Sequence, residues 1–245
     1  MSTPLCLWSG PRNISTAMMR CFGARPDTTC WDEPFFAAFL ARTGLDHPGR
    51  AETLAACETN PFLISDRLLQ PVSTPYFFQK HMAHHMIDDF PMEWVKRARH
   101  VLLIRHPARV IRSYAKGRPD FVADDLGFSA LTRIRDRLTV MAGRPIPVID
   151  SDDILSAPDR AIRWICEAGF GIPYQEAMLS WAAGPRIEDG PWAPYWYDNV
   201  IRSTGFGPPS GPVPEVEPGH QMMFEECLTH YNILREHCDP TFECV

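Results

Sequence analysis

Apolar residues fall along this chain in two patterns. Short unbroken runs between turn residues read as buried strands, and runs with an apolar position every three or four residues read as amphipathic helices. Leu5-Cys6-Leu7-Trp8 lies in a strand over residues 4–9 that ends at Gly10-Pro11. Ile14, Ala17, Met18, Cys21 and Phe22 then share one face of a helix over 14–24. Thr28-Thr29-Cys30-Trp31-Asp32 is rich in β-formers, and Pro34 opens a helix through residue 42. Strand, helix, strand, helix in that order predicts a parallel sheet. Residues 44–75 are less regular, with a helix around 50–57 and with Pro61, Pro71 and Pro75 breaking the rest. Further strands are predicted at 76–81, 100–105 and 145–150. Helices are predicted at 108–117, 127–142 and 159–169, the last stopped by Gly169. From 184 to 219 Gly, Pro and aromatics dominate, too aromatic for a disordered linker. That stretch predicts a long ordered loop over the open end of the sheet, and a helix over 221–237 closes the chain. The expected fold is one α/β domain over 1–245, a parallel β-sheet flanked by helices on both faces.

Composition narrows the class. The chain has 245 residues, 45% of them hydrophobic, enough for a full core. A net charge of −6 argues against a general affinity for nucleic-acid backbone, while leaving room for a local basic pocket. The eight cysteines form no C-x-x-C pair and no His/Cys ligand cluster, which points to free thiols in a reducing cytoplasm. No basic stretch followed by an apolar core opens the chain, and no apolar run reaches the ~18 residues of a membrane span, so neither a secretory leader nor a membrane segment is expected.

In an open parallel sheet, ligands sit beyond the carboxyl ends of the strands. Those ends carry Arg12, Asp32-Glu33, Lys80-His81, Arg105-His106 and Asp150-Ser151-Asp152-Asp153, all expected to face one crevice. The first of them has the makings of an anion site: a strand, a turn at Gly10-Pro11, the cation Arg12, then the amides and hydroxyls of a helix N-terminus. It is not the phosphate loop G-x-x-x-x-G-K-[ST], because a second glycine and the Lys are missing. Alone, it reads equally as an ordinary turn capped by Ser15. The acidic run at 150–153 reads as a strand end and helix cap.

A second pattern joins the first. Arg105-His106-Pro107-Ala108-Arg109-Val110-Ile111-Arg112-Ser113 has Arg at a strand end, Pro two positions on and Ser eight positions after the Arg. This resembles the 3′-phosphate motif of sulfotransferases that use 3′-phosphoadenosine 5′-phosphosulfate (PAPS). Pro11-Arg12-Asn13-Ile14-Ser15-Thr16 then resembles the same family's 5′-phosphosulfate loop, Pro-[Lys/Arg]-Ser-Gly-Thr-Thr, with Asn13-Ile14 in place of Ser-Gly. The resemblance implies a P-loop NTPase-like three-layer sandwich. It implies PAPS as donor and PAP (3′,5′-adenosine bisphosphate) as product. It implies Arg105 and Ser113 on the 3′-phosphate, and Arg12, Asn13, Ile14, Ser15 and Thr16 around the phosphosulfate. For the base, the resemblance offers Glu33, at the end of the second strand, or His81. Lys80-His81 is one residue short of the family's Lys-x-His spacing. His84 and His85 are further candidates. No metal is implied.

The expected activity is transfer of a sulfuryl group to the hydroxyl or amine of a small-molecule acceptor. The expected partners include no nucleic acid and no membrane, and a homodimer is left open. Two rivals remain: a small-molecule kinase using ATP-Mg with Asp32 as a metal ligand, and a non-catalytic adenosine-nucleotide-binding protein. The aromatic loop around 192–206 is a candidate wall of the acceptor pocket, and Arg202-Ser203-Thr204 a candidate phosphate contact.

Overall fold

The computed structural model describes residues 1–242, so Cys244 lies outside the described residues. In chain order the elements are β1 (Thr3–Ser9), α1 (Ser15–Gly23), β2 (Thr28–Asp32), α2 (Phe36–Thr43), α3 (Arg50–Ala56), α4 (Pro61–Leu68), β3 (Tyr76–Met82) and β4 (Arg99–Ile104). There follow α5 (Pro107–Tyr114), α6 (Phe128–Ala142), β5 (Val148–Asp150), α7 (Ser151–Ser156), α8 (Pro158–Trp164), the short α9 (Ala193–Trp196) and α10 (Asp198–Ile201), and α11 (Gln221–Arg235). The five strands form one parallel sheet in the order β2-β3-β1-β4-β5.

Successive residues of a strand point to opposite faces, so a strand buried on both sides is apolar throughout. In β1, Leu5 and Leu7 join one core layer with Met18, Phe22, Ile154 and Ile162 from α1, α7 and α8. Cys6 and Trp8 join the other, with Ile64, Leu131, Ile134 and Leu234 from α4, α6 and α11. β4 divides the same way, Val101 and Leu103 against Leu102 and Ile104. The result is an α/β three-layer sandwich. Among the described residues no helix is long and apolar enough to cross a membrane.

Three local readings need correction. Pro61 opens a helix rather than breaking one. Asn60 caps α4 by accepting from the Phe62 amide at 3.0 Å, and Pro61 sits where its missing N–H costs nothing. The fifth strand shrinks to Val148–Asp150 because Pro145 and Pro147 cannot donate to a ladder. The stop after α8 is Gly171, at φ 63°, not Gly169. Gly169 lies within a wide turn over Ile165–Phe170, where a Cβ would meet Val101 Cγ2 at 2.8 Å.

Strand order also locates the crevice. β1 and β4 are neighbours, yet α1 packs on one face of the sheet and α6 on the other. The chain therefore leaves the two strands in opposite directions, and a gap opens between their carboxyl ends. Arg12 follows β1 and Arg105 follows β4.

Candidate active site

A cavity of about 490 Å³ occupies that gap. Its floor includes Arg12, Ile14, Ser15 and Thr16 after β1, Glu33 after β2, Lys80 and Met82 from β3, and Arg105 and Ser113 around α5. The 192–207 segment adds Trp192, Trp196, Tyr197, Ser203, Gly205 and Gly207 to the wall.

The loop after β1 is shaped without a second glycine. Arg12 and Ile14 both take left-handed backbone angles, φ 61° and 59°, where a side chain is strained and glycine is not. Gly10 is needed for space: a Cβ there would meet the Leu126 carbonyl oxygen at 2.5 Å. Ile14 stands at the N-cap of α1 with no side chain capping the helix, so the turn capped by Ser15 does not occur. The first amides of α1 stay free toward the cavity end, where the helix dipole favours an anion.

Two guanidinium groups meet here. Arg12 donates from Nε to Ser113 Oγ at 2.9 Å and from a terminal nitrogen to the Trp196 carbonyl at 3.2 Å. Arg105 donates to the Arg12 carbonyl at 2.8 Å, and its Nε is buried without a partner. Burial pulls both guanidinium pKa values down, yet among the described residues neither side chain has a carboxylate in ion-pair contact. Trp196 Nε1, His84 Nδ1 and His85 Nδ1 are further buried polar atoms without partners on the cavity lining. Buried donors left unpaired are costly, and an anion carrying several oxygens would satisfy them.

On the opposite side, Lys80 Nζ lies 2.8 Å from Asp32 Oδ1, 2.5 Å from Glu33 Oε1 and 2.7 Å from the Tyr197 hydroxyl. Burial works against the Lys80 charge, but the two carboxylates outweigh it and raise its pKa. Burial raises the Glu33 pKa; Lys80 opposes that rise and Asp32 adds to it. Glu33 also has a left-handed backbone, φ 41°, so all three non-glycine residues of this kind among the described residues line the cavity. His85 Nδ1 is 3.9 Å from Glu33 Oε2. Burial, then the neighbouring His84 and His47, holds His85 neutral, so this is proximity and not an ion pair. Burial likewise pushes His84 down to about 4.

The structure brings Arg12, Ile14, Ser15, Thr16, Glu33, Arg105 and Ser113 together on one cavity. It does not bring His81 there. Period-two alternation along β3 sends Lys80 and Met82 to the cavity and His81 to the other face, where its ring stacks on Trp8 at 4.4 Å and contacts Gln79. The position that Lys-x-His spacing would fill is therefore Met82. Asn13 turns its side chain inward to donate to the Leu103 carbonyl, leaving only its backbone at the loop. Asp32 is fully committed to Lys80 and Tyr197 and does not line the cavity, which removes the metal-ligand role that a kinase would need. The run at 150–153 also stays away: Asp150 caps α7, Asp152 pairs with Arg109 and Asp153 with Arg235. His106 caps α5 and Arg202 pairs with Asp198 outside the cavity. Phe36, His47 and Tyr114 line the cavity although nothing in the sequence singled them out.

Comparison with known proteins decides the family. The model of the sulfotransferase domain matches residues 4–237. The chain belongs to that sulfotransferase family. Two solved sulfotransferases share the fold of this domain. One is the sulfotransferase domain of the Synechococcus PCC 7002 olefin synthase, 17% identical over 94% of this chain and 96% of that one, with a TM-score of 0.55. The other is a sulfotransferase from Alicyclobacillus acidocaldarius, 14% identical over 100% of both chains, with a TM-score of 0.52. Among curated proteins, two from Arabidopsis thaliana, branched-chain-amino-acid aminotransferase-like proteins 1 and 2, are 39% and 38% identical over 232 residues. That match covers 94% of this sulfotransferase domain and 41% of each of those proteins.

Proposed function

We propose that this domain transfers a sulfuryl group from PAPS to a hydroxyl or amine of a small-molecule acceptor. The observation that carries the reading is the pair of guanidinium groups, Arg12 and Arg105, lining one cavity with no carboxylate partner among the described residues. Two cations there suit a ligand with two anionic groups. Arg105 and Ser113 hold the 3′-phosphate. Arg12, the Asn13 and Ile14 backbone and the Ser15 and Thr16 hydroxyls hold the phosphosulfate end. When bound, PAPS supplies a sulfuryl group on a phosphate leaving group. Arg12 offsets the negative charge that gathers at that end. Glu33 receives the acceptor's proton: its Oε1 is tied to Lys80, and among the described residues its Oε2 accepts no hydrogen bond. His81, sealed against Trp8, has no part in this.

Binding of 3′,5′-adenosine bisphosphate, compared with ADP plus Mg²⁺, tests the donor. The bisphosphate should bind more tightly, and preference for ADP-Mg would refute the reading. Arg105→Ala should weaken the bisphosphate roughly 10- to 100-fold, as loss of charge-assisted hydrogen bonds does, and leave 5′-AMP nearly unchanged. Glu33→Gln should cut turnover by about 10²- to 10⁴-fold at unchanged bisphosphate affinity. Tight bisphosphate binding without turnover on any hydroxyl or amine acceptor would instead identify a nucleotide-binding protein without catalysis.

A further inference from the structure

The cluster beside Glu33 has a closed hydrogen-bond inventory, and that closure assigns its one mobile proton. A tyrosine hydroxyl owns one proton and two lone pairs. Tyr197 Oη lies 2.7 Å from Lys80 Nζ, 3.0 Å from Trp192 Nε1 and 2.6 Å from Asp32 Oδ2. An ammonium and an indole N–H can only donate, so they fill both lone pairs, and the hydroxyl's own proton goes to Asp32. Nothing is left for Glu33 Oε1, 3.4 Å away. Lys80 is spent as well: its three protons reach Asp32, Glu33 and Tyr197. Among the described residues, Asp32 thus accepts on both oxygens, whereas Glu33 accepts on Oε1 alone.

We propose that Asp32 and Tyr197 are positioning residues for proton uptake at Glu33. Tyr197 locks Asp32 onto the Lys80 ammonium, so the single proton that the cluster can gain goes to Glu33 Oε2. The inference rests on the reading of Glu33 as the base. It follows from charge: two buried carboxylates share one ammonium, and the carboxylate with fewer donors is the one that protonates. Lys80 from β3, Asp32 from β2, Tyr197 from the 192–207 segment, neutral His85 and Tyr114 from α5 are the titratable groups acting on Glu33 or close to it. Cys30 and Cys57 sit near Asp32, and burial raises the pKa of both thiols, so they stay protonated. Because Tyr197 comes from the segment that walls the cavity, Glu33 is tuned only when that segment is seated.

A pH titration of the whole protein labelled with ¹³C at Asp and Glu carboxyl carbons tests this, with Glu33→Gln and Asp32→Asn spectra assigning the two resonances. In the wild-type protein the Glu33 carbon should show a protonation step above the ordinary carboxylate range. Absence of that step from the Glu33 carbon overturns the proposal. In Asp32→Asn the like charge is gone and Lys80 belongs to Glu33, so the Glu33 step should move down by about one pH unit or more; no downward shift overturns it. In Tyr197→Phe the hydroxyl that holds Asp32 to the ammonium is gone, so the Glu33 step should lose part of its amplitude. An unchanged Glu33 step there removes Tyr197 from the mechanism. The titration needs no acceptor, so the base reading fails in the turnover assay and this proposal fails in the spectrum, independently.

Discussion

Ile14 holds a β-branched side chain at φ 59°, two positions after Arg12 at φ 61°. Left-handed backbone costs an L-residue about 1–2 kcal/mol, and a branched Cβ makes it worse. Part of that cost is offset, because Ile14 packs, half-buried, against the core layer under α1. The strain serves the loop: with Ile14 left-handed, the chain turns directly into α1 and presents its first amides to the cavity. At ordinary sites Ala is more stable than Gly by about 0.5–1 kcal/mol. Here the order should reverse. Ile14→Gly and Ile14→Ala lose the same packing, but only Gly escapes the strain, so Gly should be the more stable by about 1 kcal/mol. Urea denaturation of the two variants measures it, and an Ala variant as stable as the Gly variant would show that the angle is unstrained. The motif position where the resembling loop has glycine is thus a glycine-like backbone occupied by isoleucine. Nothing in residue type alone announces that.

The 184–207 segment is the element on which the cavity depends most, and its anchor is ionic. Arg20 on α1 donates twice to Asp189, at 2.6 and 2.7 Å, with the two side chains 1% and 5% exposed. Removing one member of such a pair leaves a buried charge without a partner and costs about 3–5 kcal/mol, whereas replacing both with apolar residues is often neutral. Asp189→Leu should therefore lower stability by about 3 kcal/mol and speed proteolysis near the exposed Ile187, and adding Arg20→Leu should restore most of the loss. A double variant no better than the single would mean that the pair is not what holds the segment. Elements of this kind mark the boundary of what can be read from sequence. β1 and β4 were legible because burial on both faces writes an unbroken apolar run. That Arg105 and Ser113 lie on the same cavity was legible because both sit on one strand-turn-helix unit. The place of the aromatic loop over the crevice was also legible, but the contacts that anchor it were not, because Arg20–Asp189 and Tyr197–Asp32 join residues more than 160 positions apart. His81 misled for a different reason: spacing by one instead of two changes the face of the strand, and only the register with β1 shows which face is the cavity's.

At the scale of the whole molecule, the last helix closes the sandwich at the β5 edge, and one carboxylate joins the parts. Asp150 ends β5, caps α7 through the Asp152 amide at 2.8 Å and accepts from the hydroxyl of Tyr231 on α11 at 2.7 Å. Its neighbours Asp153 and Arg235 tie the same two helices together. Burial raises the Asp150 pKa to about 6, against the opposing pull of the Asp152 amide and the Tyr231 hydroxyl. An acid whose folded pKa lies above its unfolded value favours folding in its protonated form. Its contribution is complete below pH ~4 and is lost as pH rises through about 6. A shift of about two units corresponds to at most about 3 kcal/mol. Asp150→Asn keeps the amide acceptor for the cap and cannot ionise. The stability of that variant relative to wild type should therefore climb between pH 4 and pH 7 by up to this amount, then level off. Chemical denaturation of both proteins across that interval reads the difference. A difference that stays flat with pH would mean that Asp150 ionises as easily folded as unfolded, and that α11 docks on the sheet edge without regard to this charge.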